Sequence, residues 1–290
     1  MPESVRLAVR KTYKLFIGGA FPRSESGRSY PVRSAAGDFV ANAALASRKD
    51  VRDAVRAARA AFSSWARATA YNRGQILYRI AEMLEGRRAQ FVEEVRASEG
   101  LGKNAGEAAV EAAIDRWVWY AGWSDKLAQV YGNANPVAGP FFNLTAPEPT
   151  GVVGIVAPVD SSLLGLVSVV APVIVSGNTA VVLASEPSPM PAVSLAEVLA
   201  TSDVPGGVVN ILTGLTAELV PWLAGHMDVN AIDVSGAPKD LAVEAERLSA
   251  ENVKRVVRAR DVDPFSEAAQ SPYDITALME FKTVWHPMGA

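Results

Sequence analysis

Five short apolar runs constrain the fold of this chain more than any other feature. They occupy residues 151–157, 179–183, 207–212, 229–234 and 252–258, and amphipathic or apolar helical stretches separate them. Strand and helix in strict alternation predict an α/β fold built on a parallel, doubly wound sheet. The runs are continuous rather than alternating, as expected when helices cover both faces of the sheet. Ligands of such sheets bind beyond the carboxyl ends of the strands. Those ends carry Asp160, Ser161 and Ser162; Ser185 and Glu186; Thr213 and Gly214; Ser235 and Gly236; and Ala259, Arg260 and Asp261.

The first half reads differently. "LFIGGAF" predicts a hairpin turning at Gly18 and Gly19, and "DFVANAAL" a further strand. Val51, Val55, Ala58, Phe62 and Trp65 recur at helical spacing, and Ser47 with Asp50 forms an acidic variant of the capping box at the helix start. A second helix is expected over residues 72–98, interrupted near Gly86, and a third over 105–130. The aromatic group Trp117, Trp119, Tyr120 and Trp123 is either core packing or a ligand box, and its helical spacing favours packing. The proline-rich stretch 136–149 is either a linker or a projecting hairpin.

Composition excludes several function classes. Cysteine is absent from the 290 residues, so the chain supplies no disulfide, thiolate metal ligand or cysteine nucleophile. His226 and His286 are too few for a histidine-rich zinc site, and no metal site is expected. A net charge of −3 argues against nucleic acid and anionic membrane as partners. The greasiest stretch, 163–175, is too short to span a bilayer. The start of the chain, with Arg6, Arg10, Lys11 and Lys14, lacks the apolar core of a signal peptide. These features predict a soluble, cytoplasmic protein.

Beyond pattern, a set of motifs stands in a familiar order: "KLFIGGAF", "DVRDAVRAARAAFSSWA", "YAGWSDKL", "EPTGVVGIVAPVDSSLL", "APVIVSGNTAVVLASEPSP", "VPGGVVNILTG" and "ENVKRVV". Together they resemble the aldehyde dehydrogenase superfamily, and "LMEFKTVWHPMGA" resembles its terminal arm. The resemblance implies a Rossmann-like sheet with N-terminal helices and a C-terminal oligomerisation arm. It divides the chain into an N-terminal hairpin and helical part (1–133), a projecting hairpin or linker (134–150), Rossmann-like βα units (151–260), and a linker with the arm (261–290). The family continues after its last Rossmann-like strand into a catalytic domain of about 150–200 residues, a common domain size. Here residues 258–279 alone precede the arm, so a member lacking that domain is expected.

The chemistry that the resemblance implies can be sought position by position. A cysteine attacks an aldehyde, an asparagine side chain holds the oxyanion, hydride passes to NAD(P), and a glutamate activates water. The nucleophile has no counterpart. The asparagine position is Asp160, whose ionised carboxylate cannot donate a hydrogen bond. Asp160 is expected instead to cap the following helix, with Ser161 or Ser162 sharing the task; a protonated Asp160 could donate only if burial raised its pKa. The glutamate position is Ala259, and the lysine that would reach the adenosine ribose is Leu183. Glu186 could still meet a ribose hydroxyl or be a solvated loop charge. At the phosphate turn Gly236 persists, but Pro238 offers no amide, Asp240 adds negative charge, Leu241 replaces a glycine, and Lys239 compensates only in part. No catalytic residue is therefore assigned, and Glu186 and Gly236 are expected to be vestigial cofactor positions. No cofactor is expected to bind this chain tightly.

The arm carries Phe281, Val284 and Trp285 on an otherwise polar strand. It either folds back on its own chain or adds to a partner's sheet. The resemblance favours the second, through the arm and the Phe141–Pro149 hairpin, onto a full-length aldehyde dehydrogenase that carries the NAD(P). Expected on this reading is a non-catalytic, pseudoenzyme subunit. The alternatives are a free-standing NAD(P)-binding oxidoreductase using Asp160, Glu186 and Lys239 in new roles, and a decayed product with no selected role.

Overall fold

A computed structural model describes residues 11–289. The stretch containing Arg6 and Arg10, on which the signal-peptide reading rests, lies outside the described residues. Among those described, no helix is long and apolar enough to cross a membrane.

The chain begins with β1 (Thr12–Tyr13), β2 (Ser29–Arg33) and β3 (Phe39–Ala44), a small sheet in the order β1-β3-β2. Between β1 and β2 the expected turn is present: Ile17 and Ala20 exchange backbone hydrogen bonds of 3.0 Å around Gly18 and Gly19, both at positive φ. Its flanks form single bridges rather than strands, and Phe16 bonds both ways to Ile211 of the main sheet.

Five helices follow: α1 (Arg48–Arg67), α2 (Ala70–Glu85), α3 (Arg88–Glu99), α4 (Lys103–Ala121) and α5 (Leu127–Tyr131). The capping box at α1 is formed, Asp50 accepting from Ser47 N at 2.7 Å, and the same buried carboxylate takes Ser24 Oγ and Glu25 N. The cap thus also pins the preceding loop. The stretch 72–98 is two helices, parted at Gly86, whose N–H still reaches back to Glu82 O. The third helix is shorter than its periodicity predicts. It ends at Ala121, and the chain turns through 122–126 before α5. The cause is tertiary: Ser124 in this turn is buried against Gly74 of α2, where a Cβ would sit 2.3 Å from Ser124 Oγ. Trp117 and Tyr120 are fully buried, and Trp119 and Trp123 pack on the same cluster, so the aromatic group is core.

The second half alternates as expected. A hairpin of β4 (Asn133–Asn135) and β5 (Phe141–Pro149) leads into β6 (Val152–Val156), α6 (Leu164–Val175), β7 (Thr179–Leu183), α7 (Met190–Ala200), β8 (Val209–Leu212), α8 (Thr216–Ala224), β9 (Ala231–Asp233), α9 (Lys239–Ser249) and β10 (Arg255–Val257). A short helix, α10 (Pro272–Thr276), precedes the terminal strand β11 (Met279–Pro287). The five central strands are all parallel, in the order β10-β9-β6-β7-β8. The chain starts at β6, winds outward to β8, then returns to β9 on the other side. One face is covered by α2, α4, α6 and α7 through a large apolar cluster including Leu77, Trp117, Val170 and Leu195. The other is covered by α1, α8 and α9 through a second cluster including Val55, Leu223 and Ala245.

The arm runs antiparallel to β5 of its own chain over nine paired positions, from Met279 opposite Pro149 to Pro287 opposite Phe141. One edge of the arm is therefore taken by β5 of its own chain, the fold-back alternative, and the outer edge is left to the other. Two features hold the arm against β5. Its root is buried, with Asn178 Nδ2 and Thr150 Oγ1 both donating to Leu278 O. Its length is stitched by Lys282 to Glu148, Thr145 to Thr283, and Arg255 to Glu280. The proline-rich segment is accordingly a hairpin spanning β4 and β5, of which Phe141–Pro149 is one strand. In the order β11-β5-β4 the arm is an edge strand, and among the described residues nothing pairs with its outer edge.

Candidate functional site

The order of the central strands reverses between β6 and β9, so the crevice expected to take a ligand opens beyond their carboxyl ends. A larger depression of about 1050 Å³ lies elsewhere, between α2 and the turn before α5, away from the strand ends.

After β6 the three polar residues part company. Ser161 Oγ accepts from Gly165 N at 2.8 Å and caps α6. Ser162 is buried, its N and Oγ both donating to Glu99 Oε1 of α3. Asp160 is exposed and takes no part in the cap, which Ser161 makes alone. The shared cap expected for Asp160 is thereby corrected: Ser161 stands one turn before Gly165 and reaches its N–H first.

After β7, Leu183 is buried in the second apolar cluster. Glu186 is half-buried, and its Oε2 accepts from Thr216 N, the first residue of α8, at 2.9 Å. A carboxylate at a helix N-terminus is favourably placed against the unpaired amides there. Tyr30 donates to Glu186 O, and burial first and Glu186 second raise the Tyr30 hydroxyl above its ordinary pKa. Glu186 is therefore a brace between β7 and α8 rather than a solvated loop charge. Glu186→Ala is expected to lower stability by about 1–2 kcal/mol, the worth of a charge-assisted bond to a helix end. A urea unfolding midpoint checks this, and an unchanged midpoint would contradict the bracing role.

After β9 the turn spends its amides on the protein. Ser235 N donates to Asp233 Oδ1, Gly236 N to Val156 O, and Ala237 N to Val234 O, while Pro238 has none. A Cβ on Gly236 would lie 1.9 Å from Ala157 O, so this glycine permits β6 and β9 to exit side by side. Lys239 and Asp240 are exposed. Glu186 and Gly236 thus stand at the ends of different strands, each with a structural partner. The amides of Ser235, Gly236 and Ala237 are thus engaged within the protein.

The crevice also holds groups that sequence reasoning missed. A cavity of about 270 Å³ lies between the ends of β6, β9 and β10, the helices α4 and α6, and a roof of residues 258–278. Arg116 of α4 lines it and is 2% exposed; its Nη1 donates to Ser168 Oγ at 2.6 Å and its Nη2 to Pro264 O at 2.8 Å. Burial draws its guanidinium below the ordinary value. Asp233, 6% exposed, lines the opposite side. Its carboxyl is pushed up to about 6, chiefly by burial and further by Asp274, against hydrogen bonds from Ser235. Asp274 in turn holds Arg260 at 2.8 Å and accepts from Tyr120. Both missed residues had a signal. Arg116 falls three residues after Ala113 and four before Tyr120, on the apolar stripe of its helix, and Asp233 interrupts an otherwise apolar run.

The sequence profile of the aldehyde dehydrogenase family matches residues 21–258. The chain belongs to the aldehyde dehydrogenase family. Retinal dehydrogenase 2 of Gallus gallus is 34% identical over 264 residues, covering 87% of this chain and 49% of that protein. Cytosolic 10-formyltetrahydrofolate dehydrogenase of Mus musculus is 33% identical over 263 residues, covering 87% and 28%. The fold superposes on HpcC from Thermus thermophilus with a TM-score of 0.81 at 29% identity, over 86% of this chain and 48% of that one. It superposes equally, at 27% identity, on an aldehyde dehydrogenase from Bacillus cereus solved as its NAD+ complex, over 86% and 50%. The chain spans about half the length of the curated aldehyde dehydrogenases and related enzymes first matched. Its sheet is the Rossmann-like sheet of this family. The family match ends at residue 258, so the cavity roof from 259 onward and the arm lie beyond it.

Proposed function

We propose that this chain is a non-catalytic aldehyde dehydrogenase-family subunit that assembles with a full-length aldehyde dehydrogenase through the sheet β11-β5-β4. The observation that carries the reading is the unpaired outer edge of β11. It presents a nine-residue strand whose Phe281, Val284 and Trp285 are 46, 59 and 58% exposed. An unpaired edge of this length that exposes three large apolar side chains is a template for strand addition. Register sorts its faces: Val284 stands opposite Leu144 and beside Phe142, while Phe281 and Trp285 share the other face with Tyr131 and Phe141. The partner supplies the strand that continues this sheet, and it carries the NAD(P).

The crevice supports the non-catalytic half of the reading. The chain contributes no cysteine, Ala259 stands where a proton acceptor would be, and exposed Asp160 has no donor to offer an oxyanion. At the turn after β9 the amides of Ser235, Gly236 and Ala237 are already bonded within the protein and Pro238 has none, which supports weak cofactor binding on this reading. A second reading, a free-standing NAD(P)-binding oxidoreductase, draws on the likeness to the Bacillus cereus NAD+ complex.

The test is co-expression with a full-length aldehyde dehydrogenase of the same cell, followed by size measurement. The wild-type chain is expected to co-elute with that enzyme, and Thr283→Pro, at a position whose N–H points away from β5 to the outer edge, to elute alone. A lone monomer indifferent to such enzymes would sink the proposal. Micromolar binding of NAD or NADP, or aldehyde oxidation by the purified chain alone, would favour the second reading.

A further inference from the structure

The 270 Å³ cavity contains two buried charged side chains that lack a counter-ion of their own. Arg116 is 2% exposed, yet its two protein bonds go to neutral oxygens, Ser168 Oγ and Pro264 O. A guanidinium has five N–H donors; here Nε is buried with no partner at all. Asp274 lies near enough to favour the cation, but its charge is committed to Arg260. Arg258, also on the wall, is paired with Glu246. Asp233 accepts hydrogen bonds from Ser235 and, among the described residues, meets no cation. Neither Arg116 nor Asp233 pairs with the other across the cavity.

Buried charges without partners are costly, and native structures keep few of them unless a ligand completes the set. The remaining wall is suited to a short carbon chain: Pro158, Val169, Pro172, Val257, Val262 and Leu278. The volume sits just below the range of about 300–1,000 Å³ common for small-molecule sites. Residues 259–278, outside the family match, line one side of the space, while Arg116 and Asp233 lie within the matched segment.

We propose that the cavity binds a small zwitterion, its carboxylate on the Arg116 guanidinium and its ammonium on the Asp233 carboxylate. One molecule then supplies both missing counter-ions, and its methylene chain lies along the apolar wall. A simple carboxylate would leave Asp233 unpaired, and a simple amine would leave Arg116 unpaired. Binding would also tie the roof to the sheet, because Pro264 O and the ligand would share the same guanidinium.

Calorimetric titration of the full chain near neutral pH tests this. The probes are β-alanine, 4-aminobutyrate and 5-aminopentanoate, with butyrate and butylamine as single-charge controls. At least one zwitterion is expected to bind saturably and about tenfold or more tighter than either control. Asp233→Asn, which keeps the side-chain shape, is expected to weaken that zwitterion about tenfold while leaving butyrate unchanged. Arg116→Gln is expected to abolish binding of both acids. Absence of binding by every zwitterion, butyrate binding as tightly as the best of them, or an affinity untouched by Asp233→Asn would each overturn the proposal. Because Asp233→Asn relieves rather than creates a buried charge, this variant keeps the test decisive even if Arg116→Gln fails to fold.

Discussion

Gly236→Ala is expected to lower stability by about 3 kcal/mol or more, which places it among the severe single substitutions. On the present backbone its Cβ would sit 1.9 Å from Ala157 O, 2.2 Å from Ala157 C and 2.6 Å from Pro158 N. All three are main-chain atoms, so no side-chain rotation relieves the overlap. Gly236 N also donates to Val156 O at 3.0 Å, which holds the two strand exits together. Relief requires β9 to part from β6 where the strand order reverses, breaking that bond and exposing Val234 and Ile155. A urea midpoint measures the loss. Gly102→Ala serves as the control, since nothing lies within 4 Å of its Cβ position and it should change stability by less than about 1 kcal/mol. Equal midpoints for the two variants would refute the packing role assigned to Gly236.

The second large effect concerns Asp233, and its sign follows from the direction of the shift. Its carboxyl is raised from 3.8 to about 6 in the folded chain. The folded state therefore holds the proton more tightly than the unfolded one. The associated stability is fully present below about pH 4, is lost as pH rises toward 6, and stays lost above it. A shift of that size corresponds to roughly 3 kcal/mol. Asp233→Asn removes the cost of the buried charge, and its Oδ1 can still accept from Ser235 N. The amide N–H groups it introduces offset part of the gain, so at pH 7 the variant should be more stable by about 1–3 kcal/mol. Urea unfolding of both proteins between pH 4 and 7 checks this. The two should be close at the acid end and diverge as pH rises, with the wild type falling; curves that stay parallel would show that Asp233 is not the group involved.

Together these two residues show how the crevice departs from its sequence. Gly236 looks like the remnant of a phosphate turn, but its neighbour is a carbonyl at the exit of β6, and no local pattern announces that contact. Asp233 looks like one polar letter in an apolar run, and only the fold shows that it is a buried charge lining one cavity with residues of 258–278. The same holds for Glu186, whose carboxylate braces a helix thirty positions on at Thr216.

The sequence by itself determined the parallel sheet, the helices on both faces, the capping box of Ser47 with Asp50, the break at Gly86 and the turn at Gly18 and Gly19. Each of these follows from neighbours within a few residues: apolar period, a cap, a glycine free to take positive φ. The tertiary structure alone decided that α4 stops at Ala121, that β11 lies along β5 of its own chain, and that Arg116 and Asp233 face one cavity. These depend on groups far apart in the chain meeting at specific distances, such as Gly74 with Ser124, Asn178 with Leu278, and Arg116 with Pro264. Periodicity records which face of an element is apolar; it carries no information about which distant segment will cover that face, and burial of a charge is a property of the cover.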